Sequence, residues 1–302
     1  MITRRKFVHT SAAALAAGTV RAEEKEAPLF SIGLIADAQY VDADRGGIRH
    51  YRNSVKKLGS AVETINEAEV DFSIHLGDLI DRDFVSFDRI REPLSELKKP
   101  VFQIPGNHDF SVPDDKKSEV FGKLGMTKPY HSFSKSGFRF VYLDGTEIST
   151  FAQPRDSEIF KEASGILKEF EAEGRKNAKS WNGAISSSQL AWLNGELAAA
   201  KAAGEKVIIS CHYPILPDNS HNLWNDREVL ATIDLFPGTV AAWFNGHNHA
   251  GNYAERNGVH YVTVEGMVDT EDTNAFAVLE VSRERLTIRG SGRVPNRVMA
   301  LG

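Results

Sequence analysis

The chain has 302 residues, 41% hydrophobic and 25% charged, with a formal charge of −5, enough apolar content for one large core or two small ones. Its single cysteine, Cys211, excludes an intrachain disulfide, and the acidic balance repels nucleic-acid polymers at long range. Past the N-terminus there is no apolar run of the roughly 18 residues that a membrane-spanning helix needs.

The first element is not part of the fold. Residues 1–10 are basic, residues 11–20 are mildly apolar, and Val20-Arg21-Ala22 places small or compact residues where a signal peptidase reads. Thr3-Arg4-Arg5-Lys6-Phe7-Val8 resembles the twin-arginine signal of bacteria, which addresses proteins that fold before export. Residues 1–22 are therefore expected to be a cleaved signal. The protein is expected to engage the twin-arginine machinery and to work in the periplasm or outside the cell. Cleavage removes Arg4, Arg5, Lys6 and Arg21 and no acid, moving the formal charge from −5 to about −9. An anionic substrate then needs a local positive feature, either arginines or metal ions.

Residues 23–302 read as one domain, because no shift in composition marks a boundary. Short apolar runs rich in β-branched residues predict strands at 30–36, 71–76, 101–104, 138–143, 206–211, 239–244, 259–264, 275–281 and 285–289. Segments of helical period lie between many of them, at 50–69, 84–98, 156–175, 186–203 and 226–235. The helix at 186–203 opens with Ser186 and Gln189 in capping-box spacing and stops at Gly204. Cys211 ends the run KVIISC and reads as a buried, inert thiol. Alternating strands and helices, with strands closing the chain, predict an α/β layered domain of two packed sheets.

The loops that follow these strands carry the chemistry: DAQY, LGDLID, IPGNHDF, SCHYPI and FNGHNHAG. Ligand sites of α/β sheets gather at the C-terminal ends of strands, so five such ends converge on one site. Asp37, Gln39, Asp78, Asn107, His212, His247 and His249 offer carboxylate, amide and imidazole donors. Mixed oxygen and nitrogen sets suit divalent first-row metals rather than calcium or thiolate-bound zinc. Seven donors exceed one tetrahedral site and suit two ions sharing a carboxylate, the device that clamps both oxygens of an in-line displacement at phosphorus. Each residue alone has an ordinary reading, as a turn, a helix cap or a core histidine. Together, in this order and at strand ends, they read as a metal site. His50, His75, His131, His221 and His260 lack that context and read as structural or surface residues.

Gly77-Asp78, Gly106 to Asp109, His212 and Gly246 to His249 resemble the calcineurin-like metallophosphoesterase signature, D-x-H … G-D … G-N-H-[DE] … H … G-H-x-H. The resemblance implies a four-layer αββα sandwich: two packed sheets flanked by helices. It implies that Asp37, Gln39, Asp78 and His249 hold one metal, that Asp78, Asn107, His212 and His247 hold the other, and that a hydroxide between them is the nucleophile. His108 would protonate the leaving group, oriented by Asp109. Gln39 departs from the signature, standing where histidine is usual. The same change marks the manganese-dependent ADP-ribose/CDP-alcohol diphosphatases, which ADAQY, RHYRNS (49–54), WNGAIS (181–186), HYPILPD and GRVPNRVM (292–299) also resemble. Ala250 and the FSVP after GNHD depart from that branch. An amide oxygen is harder than imidazole and favours manganese over zinc or copper, with iron or zinc as the other candidate metals.

On the substrate side, Arg49 and Arg52 at the start of the predicted helix offer contacts to phosphate, with a solvated helix face as the other reading, the stronger one for Arg52. Tyr40 reads equally as a stacking ring or a packing residue, and Trp181 and Asn182 as a cleft wall. The function expected is hydrolysis of the diphosphate linkage of small nucleotide conjugates. A general phosphodiesterase or phosphomonoesterase on the same fold is the alternative, and a non-catalytic metal-stabilised binder is the third reading.

Overall fold

The computed structural model describes residues 27–302, so the expected signal at 1–22 lies outside the described residues. One sheet is ordered β12-β11-β10-β1-β2-β3, from β1 (Phe30–Ile35), β2 (Phe72–His75), β3 (Val101–Gln103), β10 (Ala275–Val281), β11 (Arg285–Gly292) and β12 (Arg297–Ala300). The other is ordered β4-β5-β6-β7-β9-β8, from β4 (His131–Lys135), β5 (Phe138–Tyr142), β6 (Lys206–Ser210), β7 (Val240–Asn245), β8 (Asn252–Arg256) and β9 (Val259–Thr263). The helices are α1 (Asn53–Glu67), α2 (Ser86–Leu94), the short α3 (Val120–Lys123), α4 (Glu158–Ala172), α5 (Ser187–Ala203) and α6 (Asp226–Asp234). None of them is long and apolar enough to cross a membrane.

Strand periodicity produces the layers. Phe30, Ile32 and Leu34 of β1 face the space between the sheets, where they meet Phe138 and Phe140 of β5 and Ala242 and Phe244 of β7. Ile35 points the other way, onto Leu58, Ala61 and Val62 of α1 and Phe87 of α2. In the second sheet Val207 and Ile209 of β6 turn outward onto Leu193 and Leu197 of α5 and Val229 of α6. Each such fully buried side chain contributes about 1.5–3 kcal/mol. This is the expected αββα sandwich.

Three strands escape sequence reading: β4, β8 and β12. All three are sheet edges, where one backbone side faces water and the apolar run is absent. Predicted helix 50–69 begins late, at Asn53, because Arg49 pairs in a bridge with Asp269 instead.

The cap of α5 is shared between two elements. Ser186 Oγ accepts from the Gln189 N–H at 3.1 Å, as the capping box requires, and Gly204 closes the helix with φ 68°. The Gln189 side chain does not reach back, however. It bonds the backbone of Asp144 through both amide atoms, and Glu147 Oε2 accepts from the Ser186 N–H at 2.9 Å. Cys211 is buried, and burial pushes its thiol up to about 12, so it is inert as expected.

Candidate metal centre

The parallel strands β1, β2 and β3, and β6 and β7 of the other sheet, all end on one side, and the donor residues sit just past those ends. Leaving the strands costs backbone strain. Asp37 (φ 51°), Gln39 (41°), Asp78 (58°) and His247 (67°) are all left-handed. That region costs an L-residue about 1–2 kcal/mol, and four such residues together mark a site whose surroundings enforce it. The enforcement is visible. The His247 N–H donates to Asp37 Oδ2 at 3.1 Å, the His108 N–H to Asp78 Oδ1 at 2.8 Å, and the Gln39 N–H to the Asp78 carbonyl at 2.9 Å. The glycines of the motifs leave room for these carboxylates. A β-carbon on Gly106 would lie 2.2 Å from Asp78 Oδ1, and one on Gly246 would lie 2.5 Å from Asp37 Oδ2.

Each of the three histidines has its outer nitrogen committed to a protein acceptor. His212 Nδ1 lies 2.7 Å from the Leu76 carbonyl, His247 Nε2 lies 2.8 Å from Asn182 Oδ1, and His249 Nδ1 lies 3.0 Å from Asp269 Oδ1. A proton on each outer nitrogen leaves the inner one with a free lone pair, the arrangement that metal-binding imidazoles adopt. One ligand atom each of Asp78, His212 and His247 lies within 4.8 Å of the others. Burial disfavours charge on His212 and His249. The carboxylates of Asp78 and Asp37 outweigh it, pushing both imidazoles up to about 9. The same field that draws protons here draws a cation.

Gln39 supplies the sharpest test of fit. Its Nε2 lies 3.0 Å from both Asp78 Oδ2 and His249 Nε2, while its Oε1 is buried without a partner. Turning the amide over exchanges the two atoms and places the orphaned oxygen among the donors, where a metal would satisfy it. The Asp78–His212–His247 cluster and the orphaned Gln39 oxygen beside it thus fit a divalent-metal centre.

Some sequence expectations need correction. Asp109 does not orient His108. Its carboxylate accepts from the N–H groups of Asp78 (3.1 Å), Leu79 (2.9 Å), Ile80 (3.2 Å) and Gly106 (3.0 Å), which staples two motif loops together. Asp81 holds His108 instead, with Nδ1 3.0 Å from its carbonyl and 3.3 Å from its Oδ1. Burial opposes a charge on His108, but Asp78 and Asp81 outweigh it and raise its pKa. Tyr40 packs against the α1–α2 core rather than lining the cleft. Arg52 pairs with Asp42 and Asp44 at the surface. Asn182 is buried behind His247 rather than standing as a wall.

Arg49 does line the cleft, of about 310 Å³, with Nη1 3.4 Å from His108 Nε2. Trp181 and His221 line the cleft too, His221 standing edge-on to His247 at 5.3 Å between ring centroids. His221 escapes sequence reading as a site residue, because it lies eleven residues beyond the end of β6, deep in the loop that leads to α6. Asp81 lies three residues beyond Asp78, inside the LGDLID motif, and that proximity was the one available signal for it.

The donor sets and the two-sheet fold define a dimetal phosphoesterase, and the calcineurin-like phosphoesterase profile matches residues 30–251. The chain belongs to that family and is a metal-dependent phosphoester hydrolase. It is similar along most of its length to the manganese-dependent ADP-ribose/CDP-alcohol diphosphatase of Homo sapiens, at 32% identity over 90% of this chain and 92% of the relative. The protein of that name from Oryza sativa subsp. japonica is 31% identical over 93% of this chain and 97% of its own. A dimetal phosphatase crystal structure from Danio rerio matches with a TM-score of 0.83 at 27% identity, over 91% of this chain and 100% of that one.

Proposed function

We propose that the protein hydrolyses the diphosphate linkage of small nucleotide conjugates of the ADP-ribose and CDP-alcohol kind, with manganese in both half-sites, after export by the twin-arginine route. The observation that carries the diphosphate reading is the Arg49 guanidinium, which lines the same cleft as the metal donors with Nη1 3.4 Å from His108 Nε2. A simple ester offers one phosphate, which the ions would hold; a second phosphate needs its own cation within reach, and Arg49 is that cation.

Asp37, Gln39, Asp78 and His249 would hold one ion, and Asp78, Asn107, His212 and His247 the other. When bound, the ions supply charge neutralisation at phosphorus and a nucleophile at neutral pH. The chain's own groups do the rest. His108 keeps one proton on Nδ1 against the Asp81 carbonyl and presents Nε2 to the cleft, where a second proton is available for the departing oxygen. Arg49 orients the phosphate that leaves. Trp181 and His221 bound the space for the remainder of the substrate.

A hydrolysis panel with added Mn²⁺ tests this reading: ADP-ribose, CDP-choline, CDP-glycerol, a bis-nitrophenyl phosphate and a simple monoester. Turnover of the diphosphates well above the esters is the expected result. Turnover of simple esters alone would replace it with the general phosphodiesterase or phosphomonoesterase, and no turnover with the non-catalytic binder. Export is tested by fractionation, with the Arg4→Lys/Arg5→Lys double substitution expected to retain the protein inside the cell.

A further inference from the structure

The motif GRVPNRVM at 292–299 has no place in the chemistry above, yet the first of its two arginines, Arg293, bonds the backbone of a candidate metal donor. Arg293 stands on the turn between β11 and β12. Its Nη2 donates to the His249 carbonyl at 3.0 Å and its Nη1 to the Gly266 carbonyl at 3.0 Å, while Nη1 lies 3.4 Å from Asp269 Oδ2. One planar guanidinium therefore grips the backbone of a metal-donor histidine, the loop facing that histidine, and the carboxylate that fixes its ring.

The loop it grips, residues 265–270, touches much of this half of the site. Asp269 Oδ1 holds His249 Nδ1 at 3.0 Å. The Val268 N–H donates to the Asp37 carbonyl at 2.9 Å, and the Met267 N–H to the Ala36 carbonyl at 3.0 Å. Gly266 runs so close to the His249 ring that a β-carbon there would fall 2.6 Å from Cγ. The His50 N–H donates to the Val268 carbonyl at 2.9 Å, and Arg49 bridges Asp269, so the same loop carries the arginine of the cleft. From the other side the Lys57 ammonium of α1 is bonded to the carbonyls of Met267, Asp269 and Thr270. Two cations from distant parts of the chain hold this one loop.

Among the described residues, no lysine or arginine side chain is hydrogen-bonded to the histidine supports of the other half. His212 rests on the Leu76 carbonyl and His247 on Asn182, and neither contact involves the C-terminal turn. We propose that Arg293, acting through Asp269, is a positioning residue for the Asp37–Gln39–His249 half of the metal centre, so that the C-terminal turn tunes the affinity of that ion and not of its neighbour. Arginine is needed because its two terminal nitrogens reach three acceptors at once, whereas a lysine ammonium is a compact point charge without that reach. The proposal rests on the dimetal reading of the site but not on the identity of the substrate.

Mn²⁺ titration of the metal-free full chain decides it, followed by calorimetry and by the electron paramagnetic resonance of free Mn²⁺. In Arg293→Ala one of the two binding events should weaken by about 10–100-fold, the usual cost of removing a support behind a metal ligand, while the other is unchanged. Arg293→Lys should recover part of the loss. Asp269→Asn should weaken the same event, and it carries the test should Arg293→Ala fail to fold. Equal weakening of both events, or a titration identical to that of the parent, would overturn the proposal. Because the readout is metal binding, a wrong substrate assignment leaves it intact.

Discussion

Gly106 lies against Asp78 so closely that a β-carbon built on it falls 2.2 Å from Asp78 Oδ1 and 2.5 Å from the Asp78 backbone nitrogen. The residue before Asn107 is thus glycine because the Asp78 carboxylate occupies the space of a side chain. Gly106→Ala should push Asp78 out of register, costing about 1–3 kcal/mol as overpacking does, and both ions should be lost together. Metal analysis by mass spectrometry beside thermal unfolding checks this. Full occupancy of both half-sites in Gly106→Ala would refute the shared-carboxylate assignment.

His108→Ala should lower turnover by about 10²–10⁴-fold with metal content retained, and the loss should shrink for leaving groups that need no proton. Asp81→Asn should act through His108. Asp81 helps raise the His108 pKa, and an acid stops working as pH rises through its pKa. Removing the carboxylate therefore moves the basic limb of the pH–rate profile to lower pH. Asp109→Asn should instead lower stability, since its four N–H donors lose acceptor capacity. A basic limb that stays in place in Asp81→Asn would return the orienting role to another group.

Gln39→His replaces a neutral oxygen with a softer nitrogen at a position whose amide already lies 3.0 Å from Asp78 Oδ2. The variant should fold, bind zinc more tightly and depend less on added manganese. Activity titrated against both metals decides the point, and superimposable profiles for parent and variant would remove Gln39 from the donor set.

Asp144 gives the pH dependence of folding a separate source. Burial raises it from 3.8 to about 7, against the pull of the Thr146 N–H and hydroxyl, which both donate to Oδ1. Between about pH 4 and 7 the folded chain binds more protons at this group than the unfolded chain does. Stability therefore falls as pH rises through that window, and the penalty is complete above about 7. Asp144→Asn keeps an acceptor for Thr146 and cannot titrate. Denaturant unfolding of the metal-free proteins should show the variant gaining on the parent from pH 4.5 to 8, and a constant difference would contradict the assignment.

Much of this was legible in the residues, for physical reasons. β1, β2, β6 and β7 are buried between other strands and so must be apolar runs, and the candidate donors follow them directly. Edge strands such as β4, with the sequence HSFSK, are half-wet and carry no such mark. The supports behind the donors are harder still. Asp269 and Arg293 lie 20 and 44 positions from His249, and no local spacing joins them. Asp109 misled because the resemblance implied that it orients His108, whereas the turn there directs its carboxylate onto the N–H groups of the neighbouring loop. Tyr40 and Arg52 each carried two readings, and the structure takes packing for Tyr40 and the solvated surface for Arg52.

The donors divide by layer. Asp37, Gln39, Asp78 and Asn107, the oxygen donors, follow strands of the first sheet; His212, His247 and His249, the nitrogen donors, follow strands of the second. Hardness is therefore contributed by one slab of the protein and softness by the other, and the blend that an ion experiences depends on how the slabs are aligned. A slight shear along the aromatic packing of Phe30, Phe72 and Phe140 would bring one class of atom nearer and draw the other back. If the proposed donor sets hold, the preference of the centre among divalent ions would depend on the oily seam between the sheets as well as on the donor residues themselves.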